Sequence, residues 1–199
     1  MTKELVLIGG GGHCRSCIDV IELAGGHKIV GIVDIPEKSG QKVFNYLIQY
    51  TDGDIPRLVQ RGVEFLITIG QIKTPTPRLK YFEMISQMGG QFATIISPLA
   101  HVSSHSSVGE GTIVLHHALI NSNVKVGKNC IINSKSLLEH DVEVGDHCHI
   151  STGAILNGKT LVGDKVFFGS GSVSRETIQI PDGALIPMGE NVNRDYRYD

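Results

Sequence analysis

Large apolar residues recur at every sixth position between Ile96 and Phe168. All thirteen of these positions hold an aliphatic residue or phenylalanine, and the residue two places before each is small or β-branched. A period of six matches neither the period of an α-helix, roughly 3.6 residues, nor the simple alternation of an ordinary strand. The pattern therefore predicts a parallel β-helix in which each hexapeptide supplies one short strand.

A second period of eighteen residues overlies the first. Val-Gly pairs recur at 108–109, 126–127, 144–145 and 162–163. Three hexapeptides thus make one coil, and each coil is a triangle with three flat sides. Successive coils are expected to pair as parallel strands about 4.8 Å apart. The glycines suit the corners, where the chain turns sharply.

The first part of the chain follows a different pattern. An apolar strand over 4–8 leads into the glycines 9–12, a helix over 14–23 and a second strand over 28–33, which ends at Asp34. This order is typical of the start of a doubly wound α/β unit. Backbone N–H groups of such a turn can bind phosphate, and Asp34 could accept hydrogen bonds from a sugar or base. Because the third glycine of a dinucleotide motif is missing, a tight turn without ligand stays an alternative.

The remaining N-terminal elements are short. Helices are predicted over 55–61 and 77–87, and strands over 42–47, 65–70 and 91–97. So few residues suggest a compact sheet of three or four strands. The predicted domains are an α/β domain over 1–93, a β-helix over 94–188 and a polar tail over 189–199.

The outward residues of the coils predict contacts with other molecules. One side of the prism is mostly polar, while two are apolar. The apolar sides carry Ile95, Ile113, Ile131, His149 and Phe167, and His101, Leu119, Leu137, Ile155 and Val173. Apolar faces of this size are rarely left to water. A prism with two such faces can close into a three-fold ring, which predicts a homotrimer.

Composition excludes several classes of function. The net charge is -2 and 19% of the 199 residues are charged, so no basic surface for nucleic acid is expected. No apolar run approaches the roughly 18 residues of a membrane span, and the first residues do not form a signal peptide. A cytoplasmic protein is expected. Cys14 and Cys17 form a C-x-x-C pair, either redox-active, half of a metal site, or packed in a helix. We expect no metal.

One histidine stands out among nine. His140 lies at a predicted corner between Glu139 and Asp141, and a carboxylate partner can orient a histidine as a general base. The same corner of the next coil holds Gly158, whose N–H could stabilise an oxyanion. His149 is a polar residue on an apolar face, which suits a ligand. The alternatives are a corner histidine in a salt link for His140 and an interface residue for His149.

The hexapeptide ladder resembles the left-handed β-helix acyltransferases. Four further segments narrow the resemblance: the glycine turn ending at His13, the pair Val33–Asp34, and residues 96–103 and 133–141. Together they are similar to bacterial-glycan acetyltransferases that act on UDP- or dTDP-linked 4-amino-4,6-dideoxy sugars, and to related sialic acid O-acetyltransferases. The resemblance implies a small Rossmann-like α/β domain followed by an all-β left-handed parallel β-helix.

The resemblance also implies roles for individual residues. His140 is the general base, Asp141 is its partner and Gly158 donates its N–H to the thioester carbonyl. The residues expected along acetyl-CoA, between neighbouring subunits, are His149, Gly158, Phe167 and Gly169. The residues expected to bind the nucleotide sugar are Gly11, Gly12, His13, Asp34 and Gly70. The C-terminal segment 186–191 lacks the Ala-Lys usual near the CoA tail.

The expected function is therefore transfer of acetyl from acetyl-CoA to the amine of a nucleotide-linked amino sugar, without a metal. Two alternatives remain open. One is O-acetylation of a sialic acid-like sugar by the same residues, and the other is a non-catalytic trimer that binds a nucleotide sugar. The sequence does not specify the sugar, the nucleotide, or which subunits form one active site.

Overall fold

A computed structural model describes residues 2–196 and consists of an α/β domain followed by a left-handed parallel β-helix. The helices are α1 (Gly12–Ala24), α2 (Ile55–Gln60) and α3 (Thr76–Gln87). The strands of the α/β domain are β1 (Lys3–Ile8), β2 (His27–Val33), β3 (Lys42–Val43), β4 (Tyr46–Tyr50), β5 (Glu64–Ile67) and β6 (Gln91–Phe92). The prediction of an α/β domain joined to a β-helix is confirmed.

The N-terminal sheet has six strands in the order β3-β4-β2-β1-β5-β6. The prediction of three or four strands was too low, because residues 42–50 supply two strands and residues 91–92 supply a sixth. Residues 42–50 form a hairpin whose second strand pairs in parallel with β2. The predicted strand over 91–97 divides, because the Ala93 N–H bonds to the Phe65 carbonyl whereas the Ile95 N–H bonds to the Thr112 carbonyl of the first coil. The two domains therefore meet between these residues.

Three flat sheets of two-residue strands form the prism. Face 1 contains β9 (Ser107–Val108), β12 (Lys125–Val126), β15 (Glu143–Val144), β18 (Leu161–Val162) and β21 (Gln179–Ile180). Face 2 contains β7 (Ile95–Ile96), β10 (Ile113–Val114), β13 (Ile131–Ile132), β16 (His149–Ile150), β19 (Phe167–Phe168) and β22 (Leu185–Ile186). Face 3 contains β8 (His101–Val102), β11 (Leu119–Ile120), β14 (Leu137–Leu138), β17 (Ile155–Leu156), β20 (Val173–Ser174) and β23 (Asn191–Val192).

The coils stack in the register that the eighteen-residue period predicts. Ile113 pairs with Ile131, Leu119 with Leu137, and Lys125 with Glu143. The second residue of nearly every strand points inward and is buried, as are the small residues two places earlier, so the interior is filled by side chains. Within the described coils, inward side chains occupy the prism, and a functional site is therefore expected on its outside.

The ladder extends beyond the predicted boundary at residue 188. β23 pairs with β20, and the Tyr196 N–H donates to the Gln179 carbonyl at 3.0 Å. Tyr196 also packs against the core of the prism. The prediction of a simple polar tail was therefore wrong as far as Tyr196, because these residues complete a final coil and cover its end. The last three residues of that predicted tail, 197–199, lie outside the described residues.

Helix α1 covers the first three strands of face 2. Its buried residues Cys14, Cys17, Ile18 and Ile21 follow the i, i+3, i+4, i+7 spacing of an amphipathic helix. They join a single apolar cluster with Ile95, Ile113 and Ile131, which are at most 2% exposed. One of the two apolar faces that the sequence predicted as subunit contacts is thus covered mainly by the chain's own α/β domain. Face 3 keeps its partly exposed apolar column.

A buried arginine fixes the two domains to each other. Arg78 in α3 is 0% exposed. Its Nη1 donates to the carbonyls of Ile67 and Ile69 at 2.8 and 2.7 Å. Its Nη2 donates to the Asn129 carbonyl and to Asn129 Oδ1 at 2.9 and 2.6 Å. Burial lowers the pKa of Arg78 to about 10, so the guanidinium still carries its charge at neutral pH.

Candidate active site

His140 lies on the prism edge between face 3 and face 1. The same edge position holds Gly158 in the next coil and Glu176 in the coil after that. Backbone hydrogen bonds tie these turns together: the Lys159 N–H donates to the His140 carbonyl at 3.0 Å, and the Thr177 N–H donates to the Gly158 carbonyl at 2.9 Å. The edge is therefore a rigid support whose side chains project outward at fixed spacing.

Asp141 is the residue that orients the His140 ring. His140 Nδ1 lies 2.9 Å from Asp141 Oδ2, and Asn123 Nδ2 donates to Asp141 Oδ1 at 2.7 Å. The pKa of Asp141 is lowered, first by the hydrogen bond from Asn123 and then by that from His140. With Nδ1–H directed at this carboxylate, Nε2 of a neutral His140 is free to accept a proton.

Glu139, the other flanking carboxylate, is turned away from the ring. Its Oε2 accepts a hydrogen bond from Asn121 Nδ2 at 2.8 Å and a long one, 3.4 Å, from the His140 backbone N–H. Although the sequence places an acid on each side of His140, the structure gives a ring contact only to Asp141. Glu139 instead holds the backbone of the corner.

Gly158 lies directly against the free side of the imidazole. A Cβ on Gly158 would be 2.8 Å from both Cε1 and Nε2 of His140. Among residues 2–196, no carbonyl or side chain accepts a hydrogen bond from the Gly158 N–H. An open cleft of about 520 Å³ lies here, lined by residues that include His140, Gly158, Lys159 and Glu176. A base and a free N–H donor therefore border the same cleft.

His149 has a different environment from His140. It is 7% exposed, its Nδ1 is 2.6 Å from the Gln71 carbonyl, and its Nε2 is 2.9 Å from Asn133 Nδ2. Burial lowers the pKa of His149 to about 4, so the ring is neutral. Since the Gln71 carbonyl must accept, Nδ1 carries the proton and Nε2 accepts from Asn133. Both ring nitrogens are used within the chain.

Two further residues expected along CoA lie on or beside the same face. Phe167 is the neighbour of His149 in the ladder, and the two rings meet edge-on with centroids 5.3 Å apart. Gly169 is buried, and a Cβ there would collide with the Pro187 carbonyl of the next coil. The close stacking of coils is thus sufficient to explain a glycine at position 169, without any contact to CoA. The Phe167 side chain remains partly exposed.

The residues expected to bind the nucleotide sugar converge at the carboxyl ends of β1, β2 and β5. Gly11 and Gly12 begin α1, are exposed, and have open space where a Cβ would lie. Among the described residues no side chain caps this helix, so its first N–H groups lack a side-chain acceptor. Such a helix start favours an anion such as phosphate.

Asp34 and Gly70 lie on either side of this turn. Asp34 Oδ2 accepts from the Gly10 N–H at 2.7 Å and from Lys38 Nζ at 3.0 Å, and its pKa is lowered. Its carboxylate therefore holds the turn in shape in addition to any ligand contact. Gly70 packs beside His13, since a Cβ on Gly70 would be 3.5 Å from His13 Cβ.

The His13 side chain in this turn has a ring nitrogen without a hydrogen-bond partner. Its Nε2 is buried and has no hydrogen-bond partner within the part of the chain that the structure describes. Burial, followed by the nearby Arg78 and His149, lowers the pKa of His13 to about 3. The ring is neutral at physiological pH and one of its nitrogens has no protein partner.

The glycine turn before α1 and His140 lie on opposite sides of the same chain. The α/β domain packs on face 2, as the apolar cluster of α1 with Ile113 and Ile131 demonstrates. In a triangular coil, the edge between faces 3 and 1 is the one opposite face 2. Accordingly, no residue of the α/β domain lines the His140 cleft. Within one chain, the predicted site residues form two separate groups.

Sequence reasoning missed two residues, Arg78 and Asn123. Arg78 occupies the apolar stripe of α3 with Phe82 and Ile85, at i, i+4 and i+7, so a charged residue on a buried face was the available signal. Asn123 lies exactly one eighteen-residue period before Asp141. That spacing places the two side chains in neighbouring coils at the same corner.

The cysteine pair is packed in a helix, one of the three interpretations that the sequence allowed. Cys14 and Cys17 are buried and unpaired in α1, and burial raises the pKa of the Cys14 thiol to about 11. Within residues 2–196, no cluster of three His, Cys, Asp or Glu side chains is suited to hold a metal ion. The same part of the chain contains no helix that is long and apolar enough to cross a membrane.

Two family models match separate parts of the chain. Residues 4–85 match the PglD N-terminal domain, and residues 123–158 match the bacterial transferase hexapeptide (six repeats). The chain is therefore similar to hexapeptide-repeat transferases and to proteins with a PglD N-terminal domain, and the resemblance found in the sequence is confirmed. A comparison with curated proteins gives no match.

Solved structures share the whole architecture. The acetyltransferase domain of PglB from Neisseria gonorrhoeae matches with a TM-score of 0.91 and 22% identity, over 98% of this chain and 93% of that one. The same domain in complex with acetyl coenzyme A matches with a TM-score of 0.86 and 22% identity, over 96% and 93%. PerB from Caulobacter crescentus, in complex with CoA and GDP-perosamine, matches with a TM-score of 0.65 and 21% identity, over 96% and 94%.

Proposed function

We propose that this protein transfers the acetyl group of acetyl-CoA to the amine of a nucleotide-linked 4-amino-4,6-dideoxy sugar. The observation that carries the proposal is the His140–Asp141 pair beside the free Gly158 N–H in an open cleft. The relatives support it, since PglB binds acetyl coenzyme A and PerB binds CoA and GDP-perosamine. A cytoplasmic location belongs to the same proposal.

The proposed chemistry is a direct transfer. The sugar amine attacks the thioester carbonyl carbon, and His140 Nε2 takes a proton from the amine nitrogen. The Gly158 N–H donates a hydrogen bond to the carbonyl oxygen as it gains negative charge. The carbon–sulfur bond then breaks, and His140 returns the proton to the leaving thiolate. The products are an amide and free CoA, with no covalent enzyme intermediate and no metal.

The separation of the two groups of site residues supports a site shared between copies. The α/β domain of one chain cannot present a sugar to its own His140 edge, because the prism lies between them. A second copy packed on the apolar column of face 3, including Leu137 and Ile155, would lie beside that edge. Three such heterologous contacts close a ring. We therefore propose a homotrimer in which one copy supplies the base and a neighbour supplies the sugar-binding turn.

Ligand binding separates the candidate functions. We expect both acetyl-CoA and one of the UDP-, dTDP- or GDP-linked 4-amino sugars to raise the melting temperature by several degrees at saturation, because ligands that bind only the native state stabilise it. A thermal-shift panel measures this. Stabilisation by nucleotide sugars without any by acetyl-CoA would favour the non-catalytic partner. Stabilisation by acetyl-CoA and a sialic acid-like sugar alone would favour O-acetylation.

Substituting Gly158 with alanine tests the geometry of the cleft. The new Cβ would occupy the space 2.8 Å from His140 Nε2, where the proposed reaction takes place. We expect kcat/KM to fall by roughly 10²-fold, since misplacement by about 1 Å can cost that much. Folding should be preserved, because the three atoms nearest to the new Cβ all belong to the half-exposed His140 side chain.

Gly53→Ala is the matched control, since its nearest atom is Thr51 Oγ1 at 3.8 Å. It should leave both activity and melting temperature unchanged. Wild-type turnover in Gly158→Ala would show that the reaction does not occur between this glycine and His140.

A further inference from the structure

The His140–Asp141 pair is supported from the preceding coil. Asn123 Nδ2 donates to Asp141 Oδ1 at 2.7 Å, while Asp141 Oδ2 faces His140 Nδ1 at 2.9 Å. The two oxygens of one carboxylate are thus divided between an amide and an imidazole. This forms a continuous chain of hydrogen bonds from Asn123 to the proposed base.

The corner itself does not require asparagine at position 123. The same corner of successive coils holds Asn123, Asp141, Lys159 and Thr177, with φ of 59, 62, 60 and 59°. Lysine and threonine therefore adopt the same left-handed backbone as asparagine does. What distinguishes Asn123 is its side-chain amide, which can donate to the carboxylate below it.

We propose that Asn123 is a positioning residue for the proposed transfer, holding Asp141 so that His140 keeps its proton on Nδ1 and presents Nε2 to the substrate. The inference rests on the proposed function, in which Nε2 accepts the amine proton. Free rotation of Asp141 would release the ring to its other tautomer, which has a proton on Nε2 and cannot act as the base there.

No neighbouring group replaces Asp141 as the hydrogen-bond partner of the His140 ring. Glu139 Oε2 already accepts from Asn121, and it contacts the His140 backbone rather than the ring. Gly158 contacts the other side of the imidazole and offers no side chain. Within the described part of the chain, Asp141 is the only carboxylate hydrogen-bonded to the His140 ring.

Two substitutions at position 123 test the proposal. Asn123→Gly removes the amide and suits the left-handed backbone, so the fold is retained. Asn123→Asp keeps the shape of the side chain, but its carboxylate cannot donate a hydrogen bond to Asp141 and repels it. We expect each to lower kcat about tenfold with both KM values unchanged, in line with the loss of a hydrogen bond to a charged acceptor. Lys128→Ala is the control, since it removes a similar bond between coils, to Glu110, at the opposite edge of face 1 from this corner.

A spectroscopic measurement distinguishes positioning from a structural role. Long-range ¹H–¹⁵N spectra of histidine-labelled protein report which ring nitrogen is protonated, and the His140 signals are assigned by their absence in His140→Gln. We expect neutral His140 to be the Nδ1–H form in the wild type and in Lys128→Ala, and to shift toward the Nε2–H form in both Asn123 variants.

An unchanged tautomer together with unchanged kcat in Asn123→Gly overturns the proposal. Full activity of Asn123→Asp also overturns the proposal, because a side chain of the same shape would then be enough without the donated hydrogen bond. If the wild type acetylates no sugar, the proposed function fails, yet the tautomer measurement still decides whether Asn123 orients His140.

Discussion

Replacing His140 with asparagine should lower kcat by about 10²–10⁴-fold, the usual cost of losing a general base. Asparagine cannot accept the amine proton, although it retains the polar character of the position. The His140 side chain is 57% exposed and its one ring partner is a surface carboxylate, so folding does not depend on it. The free energy of unfolding should change by no more than about 0.5 kcal/mol.

The measurement is the initial rate of thiol release from acetyl-CoA at saturating amino sugar, with melting temperature and oligomeric state recorded in parallel. His105→Asn is the matched control: it is exposed on the same β-helix, outside the His140 cleft. We expect it to behave as wild type. Full turnover by His140→Asn with its assembly intact would remove the proposed base from the mechanism.

Replacing Arg78 with methionine should lower the free energy of unfolding by about 3 kcal/mol. The change leaves the carbonyls of Ile67, Ile69 and Asn129 without their donor, and each unpaired buried acceptor costs about 1–3 kcal/mol. Part of this loss is offset, because the cost of burying a guanidinium without a carboxylate partner disappears. Methionine keeps most of the side-chain volume, so the effect reports mainly on hydrogen bonding.

Urea unfolding followed by circular dichroism, at matched protomer concentration, measures this loss. Arg57→Met is the control, since the Arg57 side chain is 71% exposed and its guanidinium pairs with Asp54 on the surface. It should change stability by less than about 0.5 kcal/mol. An equally small change for Arg78→Met would mean that the guanidinium does not hold the two domains together.

The β-helix was predictable in detail because its signal is repeated. Each coil must place a large residue and a small residue at the same inward positions, so the period is visible in one sequence. The last strand, β23, was missed because, of residues 189–196, only Val192 and Tyr196 contact the core of the prism, and the intervening residues are polar. A single partial coil carries too little repetition to stand out from a tail.

The contacts between domains were not predictable from periodicity. The apolar residues of face 2 have the same pattern whether a neighbouring subunit or the chain's own α1 covers them. Whether α1 or a neighbouring subunit covers face 2 depends on how the α/β domain packs on the prism. Contacts such as the hydrogen bond between Arg78 and Asn129, 51 residues apart, fix that packing. For the same reason, the sequence did not indicate that His13 and His140 lie on opposite sides of the prism.

Mixing two inactive variants tests the shared site most directly. His140→Ala removes the base, and Gly12→Asp places a carboxylate at the helix start proposed to bind phosphate. Each chain carries one defect, so the mixture can form intact sites only between chains. After co-expression in equal amounts, about one quarter of the sites of a random trimer should be intact, and the acetylation rate should approach that fraction of wild type. A mixture as inactive as either variant alone would contradict a site shared between copies.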